Sequence, residues 1–318
     1  MHPAFSILFF TTLAGAGQGL LVLLALALLV GVPMTSGFVL TAIGLAQALL
    51  LAGLAASFLH LGHKMRAWRA VLMWRTSWMS REVILLPAFI ALVALWWLVL
   101  AGGGSFGGGA LGTVWLPALV ALSAVALWYC TAMIYACLRF IEEWAHPLTI
   151  VNFILIGLSA GLVLGCALAG MSGEQALLRV AGPWAFAVTW LAWASRRLSL
   201  RRNSLLRHKS NLQSATGIRS ERLVQKSMGM SAGSFNTREF FHGASAAALR
   251  HVRWGFQLLA FGLPVLLMGW GLFSANATAS PWPWLLAALL QAPGLLAERW
   301  LFFAQAKHPQ NLYYQTVS

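Results

Sequence analysis

Two ionisable residues near the ends of apolar stretches are placed to do chemistry. His60 closes the second long apolar stretch and Glu82 opens the third, with a basic connection between them. A quinol forms hydrogen bonds through two ring oxygens and loses two protons, for which an imidazole and a carboxylate at the hydrocarbon boundary are suited. The pair indicates a quinol site that releases protons through Glu82 to the adjacent aqueous side. A hydrated interfacial histidine and a glutamate at a helix N-terminus explain the same residues without a ligand.

Haem and iron–sulfur chemistry are not expected in this chain. A haem held between helices needs histidines well inside two spans, whereas the other seven histidines lie near span ends or in connections: His2, His63, His146, His208, His242, His251 and His308. The cysteines form no Cys-x-x-Cys pair, and we expect buried, unreactive thiols at Cys130, Cys137 and Cys166. The sequence predicts no haem, no cluster and no metal site, so a bound small molecule must carry any electrons.

The elements that must position these residues are membrane helices. The 318 residues are 60% hydrophobic and 9% charged, with a mean hydropathy of +0.77, whereas soluble domains are about one quarter charged. A membrane-spanning helix needs about 20 apolar residues, and eight stretches qualify: 5–30, 38–60, 83–100, 112–138, 147–169, 175–194, 254–273 and 282–303. We predict an all-α integral membrane protein, an eight-transmembrane-helix bundle forming one membrane domain over 1–318, with a basic extramembrane loop at 195–253.

Positive charge is confined to one side of this arrangement. Connections alternate in charge along the chain, and 20 of the 21 Lys and Arg residues fall on the side that holds both termini, Arg179 being the exception. Because basic connections stay in the cytoplasm, we predict cytoplasmic termini and basic loops, in a bacterial inner membrane. The net charge of +14 is thus explained by basic connections that orient the helices in the membrane, and nucleic acid is not expected as a partner.

Four further patterns bear on packing and partners. Residues 64–82 interleave tryptophans with arginines, which suits a helix in the lipid headgroup layer, as a functional surface or as a simple anchor. The loop at 195–253 is long enough to contact a partner subunit, although a solvated basic face would have the same composition. Gly15 and Gly19 form a G-x-x-x-G pair that predicts close helix packing, and Glu298 is predicted to pair with a neighbouring arginine.

Three segments resemble one known family, the membrane anchor subunits of the dimethyl sulfoxide reductase family. The similar segments are HPAFSILFFTTLAGAGQGL at 2–20, SFLHLGHKMRAWRAVLMWRTSWMSRE at 57–82 and QKSMGMSAGSFNTREFFHG at 225–243. The middle of the chain is similar only in being apolar.

The resemblance implies an anchor without haem or clusters that holds an iron–sulfur subunit and a molybdopterin catalytic subunit to the membrane. Such an anchor oxidises menaquinol or ubiquinol and passes electrons to the nearest cluster. The quinol-site histidine and glutamate of the family fall on His60 and Glu82, and Arg66 matches a basic position in the same motif, whose role is unassigned. Several relatives face the periplasm with their catalytic subunits, but the charge bias favours the cytoplasmic side here.

Four alternatives remain open at the level of the sequence. A polysulfide-reductase-type anchor would share the helix count and the use of quinone. An anchor of a donor-oxidising complex would reduce quinone instead of oxidising quinol. A secondary transporter would show two similar halves with broken helices, and no clear internal repeat is visible. A purely structural tether would bind no quinone.

Overall fold

Eight long helices dominate the computed structural model, which describes residues 2–59, 61–102, 109–207, 211–220, 223, 243–274 and 280–309. In chain order the helices are α1 Phe5–Leu29, α2 Ser36–Phe58, α3 Trp78–Ala101, α4 Leu111–Ala136, α5 Pro147–Ser172, α6 Gln175–Ser204, α7 Leu212–Thr216, α8 Ala246–Phe273 and α9 Trp282–Ala304. All but the short α7 are long and apolar enough to cross a membrane. The predicted all-α fold of eight transmembrane helices is confirmed.

Polar contacts at the two ends show that the spans alternate in direction. At one end the Arg202 guanidinium donates to the Glu142 carbonyl oxygen (2.9 Å), and the Trp144 indole donates to the Phe302 carbonyl oxygen (3.0 Å). At the other end the backbone N–H of Thr35 donates to the Glu174 carboxylate (3.0 Å). We call the first end, with the helix termini Phe5, Phe58, Trp78, Ala136, Pro147, Ser204, Ala246 and Ala304, the basic face.

The centre of the bundle is the crossing of α1 and α5. In their most apolar windows, 61% of α1 and 67% of α5 is buried within the protein, against 28% of α3. A Cβ atom on Gly19 would lie 2.2 Å from the Gly157 carbonyl oxygen, and one on Gly161 would lie 2.0 Å from the Gly19 carbonyl carbon. Only glycine permits this approach, so the close packing predicted from Gly15 and Gly19 is confirmed.

A π-helical turn shapes the contact between α8 and α9. Residues Leu258–Gly262 of α8 form this turn, and a Cβ on Gly294 of α9 would meet the Ala260 backbone nitrogen at 2.3 Å. The Gln291 amide donates to the Ala260 carbonyl oxygen (3.2 Å) and to the Ser159 hydroxyl (3.0 Å). The turn therefore exposes a carbonyl oxygen that joins α8, α9 and α5 inside the bundle.

Several predicted boundaries were wrong. Helix α3 begins at Trp78 instead of residue 83, because the Ser77 hydroxyl accepts the Ser80 backbone N–H (3.3 Å). Helix α6 continues to Ser204 and α8 begins at Ala246, so the predicted loop at 195–253 is helical at both ends. Arginine favours helices, which explains why the charged end of α6 stays helical. Residues 208–210, 221–222 and 224–242 of that loop, including most of the third similar segment, lie outside the described residues.

The basic segment before α3 is only partly as predicted. It forms a 3₁₀ helix at Lys64–Met73 that packs against α3, and the third tryptophan of the segment belongs to α3 itself. Trp68 and Trp74 are exposed, with the guanidinium groups of Arg69 and Arg75 lying 5.8 and 5.4 Å from their ring centroids. Its position in the headgroup layer stays a prediction.

The cysteines divide into two kinds. Cys130 and Cys166 are buried as predicted, but Cys137 is exposed. The prediction was wrong at Cys137 because α4 ends at Ala136, so that the thiol lies at the helix cap on the basic face.

Candidate functional site

Glu82 is buried inside the bundle near the basic face. It is the fifth residue of α3, about 6 Å along the helix from its first residue. The side chain is 7% exposed, and its carboxylate accepts a hydrogen bond from the Thr131 hydroxyl of α4, which is also buried. The carboxylate therefore faces a neighbouring helix, and the release of protons through Glu82 to the adjacent aqueous side stays a prediction.

Of the other two predicted site residues, the structure describes Arg66 but not His60. His60 lies outside the described residues, two positions beyond the end of α2 at Phe58. Arg66 is exposed on the 3₁₀ helix, and its backbone N–H donates to the His63 carbonyl oxygen (3.0 Å). The structure therefore places the helix of Arg66 against α3 but leaves Arg66 and Glu82 in different environments.

A second set of contacts fixes the start of α3 against α4. The Arg81 guanidinium donates to the carbonyl oxygens of Trp74 (3.0 Å) and Arg75 (2.8 Å), and its central carbon lies 4.1 Å from the Trp78 ring centroid. Trp78 in turn meets Tyr129 of α4 edge to face, with the ring centroids 5.4 Å apart. These contacts hold the first turn of α3 and thereby the position of Glu82.

A small cavity lies on the inner side of Thr131. Its volume is about 30 Å³, and its walls come from α1, α4, α5 and α9. Three buried polar atoms on its walls have no hydrogen-bond partner among the described residues: Thr12 Oγ1, Gln18 Oε1 and Trp128 Nε1. A polar cavity of this size has room for about two water molecules. It is far too small for a quinone ring, since pockets for such ligands measure roughly 300 Å³ or more.

Beyond the cavity, three charged side chains form a buried cluster. Glu298 of α9 is fully buried, with Arg299 Nε at 2.5 Å from Oε2 and Arg196 Nε of α6 at 2.6 Å from Oε1. The Arg196 contact brings the charges together without hydrogen-bond alignment, and Arg196 Nη2 has no hydrogen-bond partner in the described part of the chain. The Arg299 guanidinium carbon lies 4.4 Å from the Phe153 ring centroid. The predicted pairing of Glu298 is confirmed.

The cavity connects these two polar groups. Thr131 lines it and donates to Glu82, while Arg299 lines it and pairs with Glu298. Sequence analysis missed Thr131 and Arg196. Thr131 could have been found by asking which residue pairs with Glu82, because a carboxylate inside a span needs a polar partner from a neighbouring helix at the same depth.

Eight spans, with Glu82 and the cluster at Glu298 buried near the basic face, define a multi-pass membrane protein. The chain belongs to the family of DMSO reductase anchor subunits (DmsC), whose family model matches residues 1–219. It is thus a membrane anchor subunit of an oxidoreductase complex, and this membership implies association with a catalytic subunit.

Two curated relatives refine the comparison. The chain is 45% identical over 330 residues, covering all of both chains, to a subunit of the sulfite dehydrogenase of Allochromatium vinosum. It is 31% identical over 116 residues, covering 36% of this chain and 39% of the relative, to the anaerobic dimethyl sulfoxide reductase chain YnfH of Escherichia coli. One relative is thus named for a dehydrogenase and the other for a reductase.

Proposed function

We propose that this chain exchanges electrons and protons with a quinone, menaquinone or ubiquinone, at its basic face. The observation that carries the proposal is the Glu82 carboxyl group, buried in α3 within about 6 Å of its first residue and hydrogen-bonded by Thr131. Ionisable side chains inside spans are costly to bury and are characteristic of proton-handling sites. The family resemblance assigns Glu82 and His60 to quinone binding, and Arg66 matches a basic position of the same motif.

The quinone headgroup reaches this site laterally from lipid, beside the start of α3. The internal cavity is too small to hold it, so the ring lies outside the bundle wall while Glu82 connects it to the interior. Hydrogen bonds to the two ring oxygens come from His60 and Glu82. We propose that protons pass between Glu82 and water at the basic face, about 6 Å away along α3, and that Thr131 extends this route to the polar cavity.

Electrons pass between the quinone and an iron–sulfur subunit docked on the basic face, which is coupled to a molybdopterin catalytic subunit. The similarity to the A. vinosum sulfite dehydrogenase subunit extends over both full chains and favours reduction of quinone. A donor such as sulfite, with one water, then yields sulfate, two protons and two electrons. Quinone takes up those two electrons with two protons at Glu82 and His60 to form quinol.

The opposite direction is the second candidate. The family model and the E. coli relative favour oxidation of quinol coupled to reduction of an acceptor such as dimethyl sulfoxide. The site chemistry is the same with the proton and electron movements reversed. The catalytic partner decides the direction.

The test uses the complex purified through a tag on this chain and reconstituted in lipid discs. We expect sulfite-dependent reduction of a short-chain quinone and no quinol-dependent reduction of dimethyl sulfoxide; the reverse pattern would establish the second candidate. Glu82→Gln should lower quinone-linked turnover about 100-fold or more while dye-linked turnover of sulfite persists. Glu142→Gln removes a carboxylate from the same face as the matched control. Full quinone activity in Glu82→Gln would refute the site.

A further inference from the structure

A groove lies between the end of α6 and the start of α8 on the basic face. Its volume is about 660 Å³. Its lining carries four arginines and a tryptophan: Arg197, Arg201, Arg250, Arg253 and Trp254. All five are exposed, and the charged cluster around Glu298 is a separate, buried feature.

The residues that line the groove have the same sequence spacing on α6 and on α8. Its lining residues on α6 include Ala194, Arg197, Leu198 and Arg201, at positions i, i+3, i+4 and i+7; those on α8 include Arg250, Arg253, Trp254 and Gln257, at the same spacing. Residues so spaced share one face of a helix. Since α6 ends at the basic face and α8 begins there, their arginine-bearing ends lie at the same level.

Charge and polarity change with depth along this groove. Leu191 and Leu258 lie deeper than the arginines, and Leu198 and Trp254 lie beside them; each of these four apolar side chains is 50% exposed or more. No carboxylate lines the groove, and none of its four arginines forms an ion pair with another described residue. The surface therefore presents four guanidinium groups beside an apolar strip, at the helix ends where a membrane protein meets the lipid headgroups.

We propose that this groove binds an anionic phospholipid. The phosphate of the headgroup lies among the four arginines, whose planar guanidinium groups bind phosphate oxygens in pairs, and the acyl chains cover the apolar strip. Four guanidinium groups are enough for the two phosphates of a cardiolipin. A free phosphate or an acidic protein surface would match the arginines alone, whereas a phospholipid contacts the arginines and the apolar strip with one molecule. The bound lipid would offset the repulsion between the arginines and brace α6 against α8.

The experiment measures lipid binding by the intact complex in mild detergent. After removal of endogenous lipid, thermal unfolding is followed while cardiolipin, phosphatidylglycerol, phosphatidylcholine or inorganic phosphate is added, and native mass spectrometry counts bound lipid. We expect the two anionic lipids to raise the Tm and to be retained, with no such effect from phosphatidylcholine or inorganic phosphate. An equal response to inorganic phosphate would overturn the lipid assignment in favour of a simple anion site.

Matched double variants test whether the lipid binds at the arginines of the groove. Arg197→Gln with Arg250→Gln should weaken retention of cardiolipin at least tenfold, and Arg197→Lys with Arg250→Lys should restore part of it. The control, Arg139→Gln with Arg219→Gln, removes the same charge from exposed arginines outside the groove and should leave retention unchanged. Equal retention in the first variant and the control would refute the site. Unchanged lipid with loss of the catalytic partner would assign the arginines to subunit docking instead.

Discussion

The hydroxyl of Thr131 is the residue-scale contact that sets the environment of Glu82. Replacing Thr131 with Val keeps the shape and removes the donor, and we expect quinone-linked turnover to fall about tenfold because hydrogen bonds to charged groups contribute about 1.5–3 kcal/mol. Thr131→Ser keeps the donor and should retain most activity. Steady-state kinetics across pH should show the loss in kcat with an altered pH profile, since Thr131 positions Glu82 and does not bind the ring.

The control for that experiment is Thr113→Val, which removes an exposed hydroxyl at the far end of α4. Dye-linked turnover of the donor reports whether the complex has assembled. If the Thr131→Val complex showed normal quinone kinetics at every pH, the proposed role of the Thr131 hydroxyl in proton transfer at Glu82 would be wrong.

His146 gives a residue-scale prediction about pH. It caps α5, with Nδ1 accepting the Leu148 backbone N–H (3.1 Å), and partial burial together with the nearby Arg202 guanidinium lowers the pKa of His146. Because the folded pKa lies below the unfolded value of about 6.5, the neutral imidazole stabilises the fold above that pH. This contribution is lost as the pH falls through the lowered pKa, when protonation removes the acceptor.

Thermal unfolding between pH 7.5 and pH 5 measures the effect, with the pH values chosen to span the ordinary histidine pKa of about 6.5. His146→Asn should keep a cap that does not titrate and should lose less Tm on acidification than the wild type, by roughly 2 °C for a cap of about 1 kcal/mol. His251→Asn, at an exposed histidine of α8, is the control. Identical acid sensitivity in all three proteins would mean that His146 does not contribute.

At the scale of elements, the crossing of α1 and α5 is the least tolerant contact. Gly161→Ala places a methyl group 2.0 Å from the Gly19 carbonyl carbon, so two backbones must separate. We expect a loss of about 1–3 kcal/mol, seen as a Tm lowered by several degrees in size-exclusion thermal assays. Gly44→Ala is the control, because its nearest atom, Trp97 Nε1, lies at 3.8 Å. A Gly161→Ala protein as stable as the control would contradict the packing.

The sequence predicts elements better than it predicts their contacts. Spans are visible because about 20 apolar residues are needed to cross lipid, and this is a local property. The end of α6 was missed because Arg196 looks like the start of a loop, whereas in the fold it reaches the Glu298 carboxylate. That ion pair joins residues 102 positions apart, which no hydropathy pattern contains.

In the candidate site too, the residue type was visible in the sequence but its contacts were not. Glu82 was identifiable as a carboxylate at a span boundary, but its burial against Thr131 depends on which helices are neighbours. The cavity depends on four helices at once, including glycines of α1 and α5 that leave room at its wall. The role of His60 continues to rest on the resemblance, since it lies outside the described residues.

For the whole molecule, positive charge lies at the same end as the features that carry the proposals. The basic face gathers Glu82, the cluster at Glu298 and the arginine groove, whereas the opposite end holds the contact between Thr35 and Glu174. Partner docking, quinone exchange and lipid binding are therefore all proposed at one surface. If the catalytic partner docks there as proposed, the side of the membrane that this surface faces decides whether the substrate of that partner comes from the cytoplasm or from the periplasm.

Cys137 makes that orientation measurable in the native chain. It is exposed at the basic-face end of α4, whereas Cys130 and Cys166 are buried, so a membrane-impermeant maleimide should react at Cys137 alone. With the basic face in the cytoplasm, we expect labelling in inverted vesicles and none in intact spheroplasts. The G37C/C137S variant is the reciprocal control, because Gly37 is exposed at the other end, where an added Cβ would have no atom within 4 Å, and should label only in spheroplasts. Labelling of Cys137 in spheroplasts would place the basic face, and the catalytic partner with it, in the periplasm.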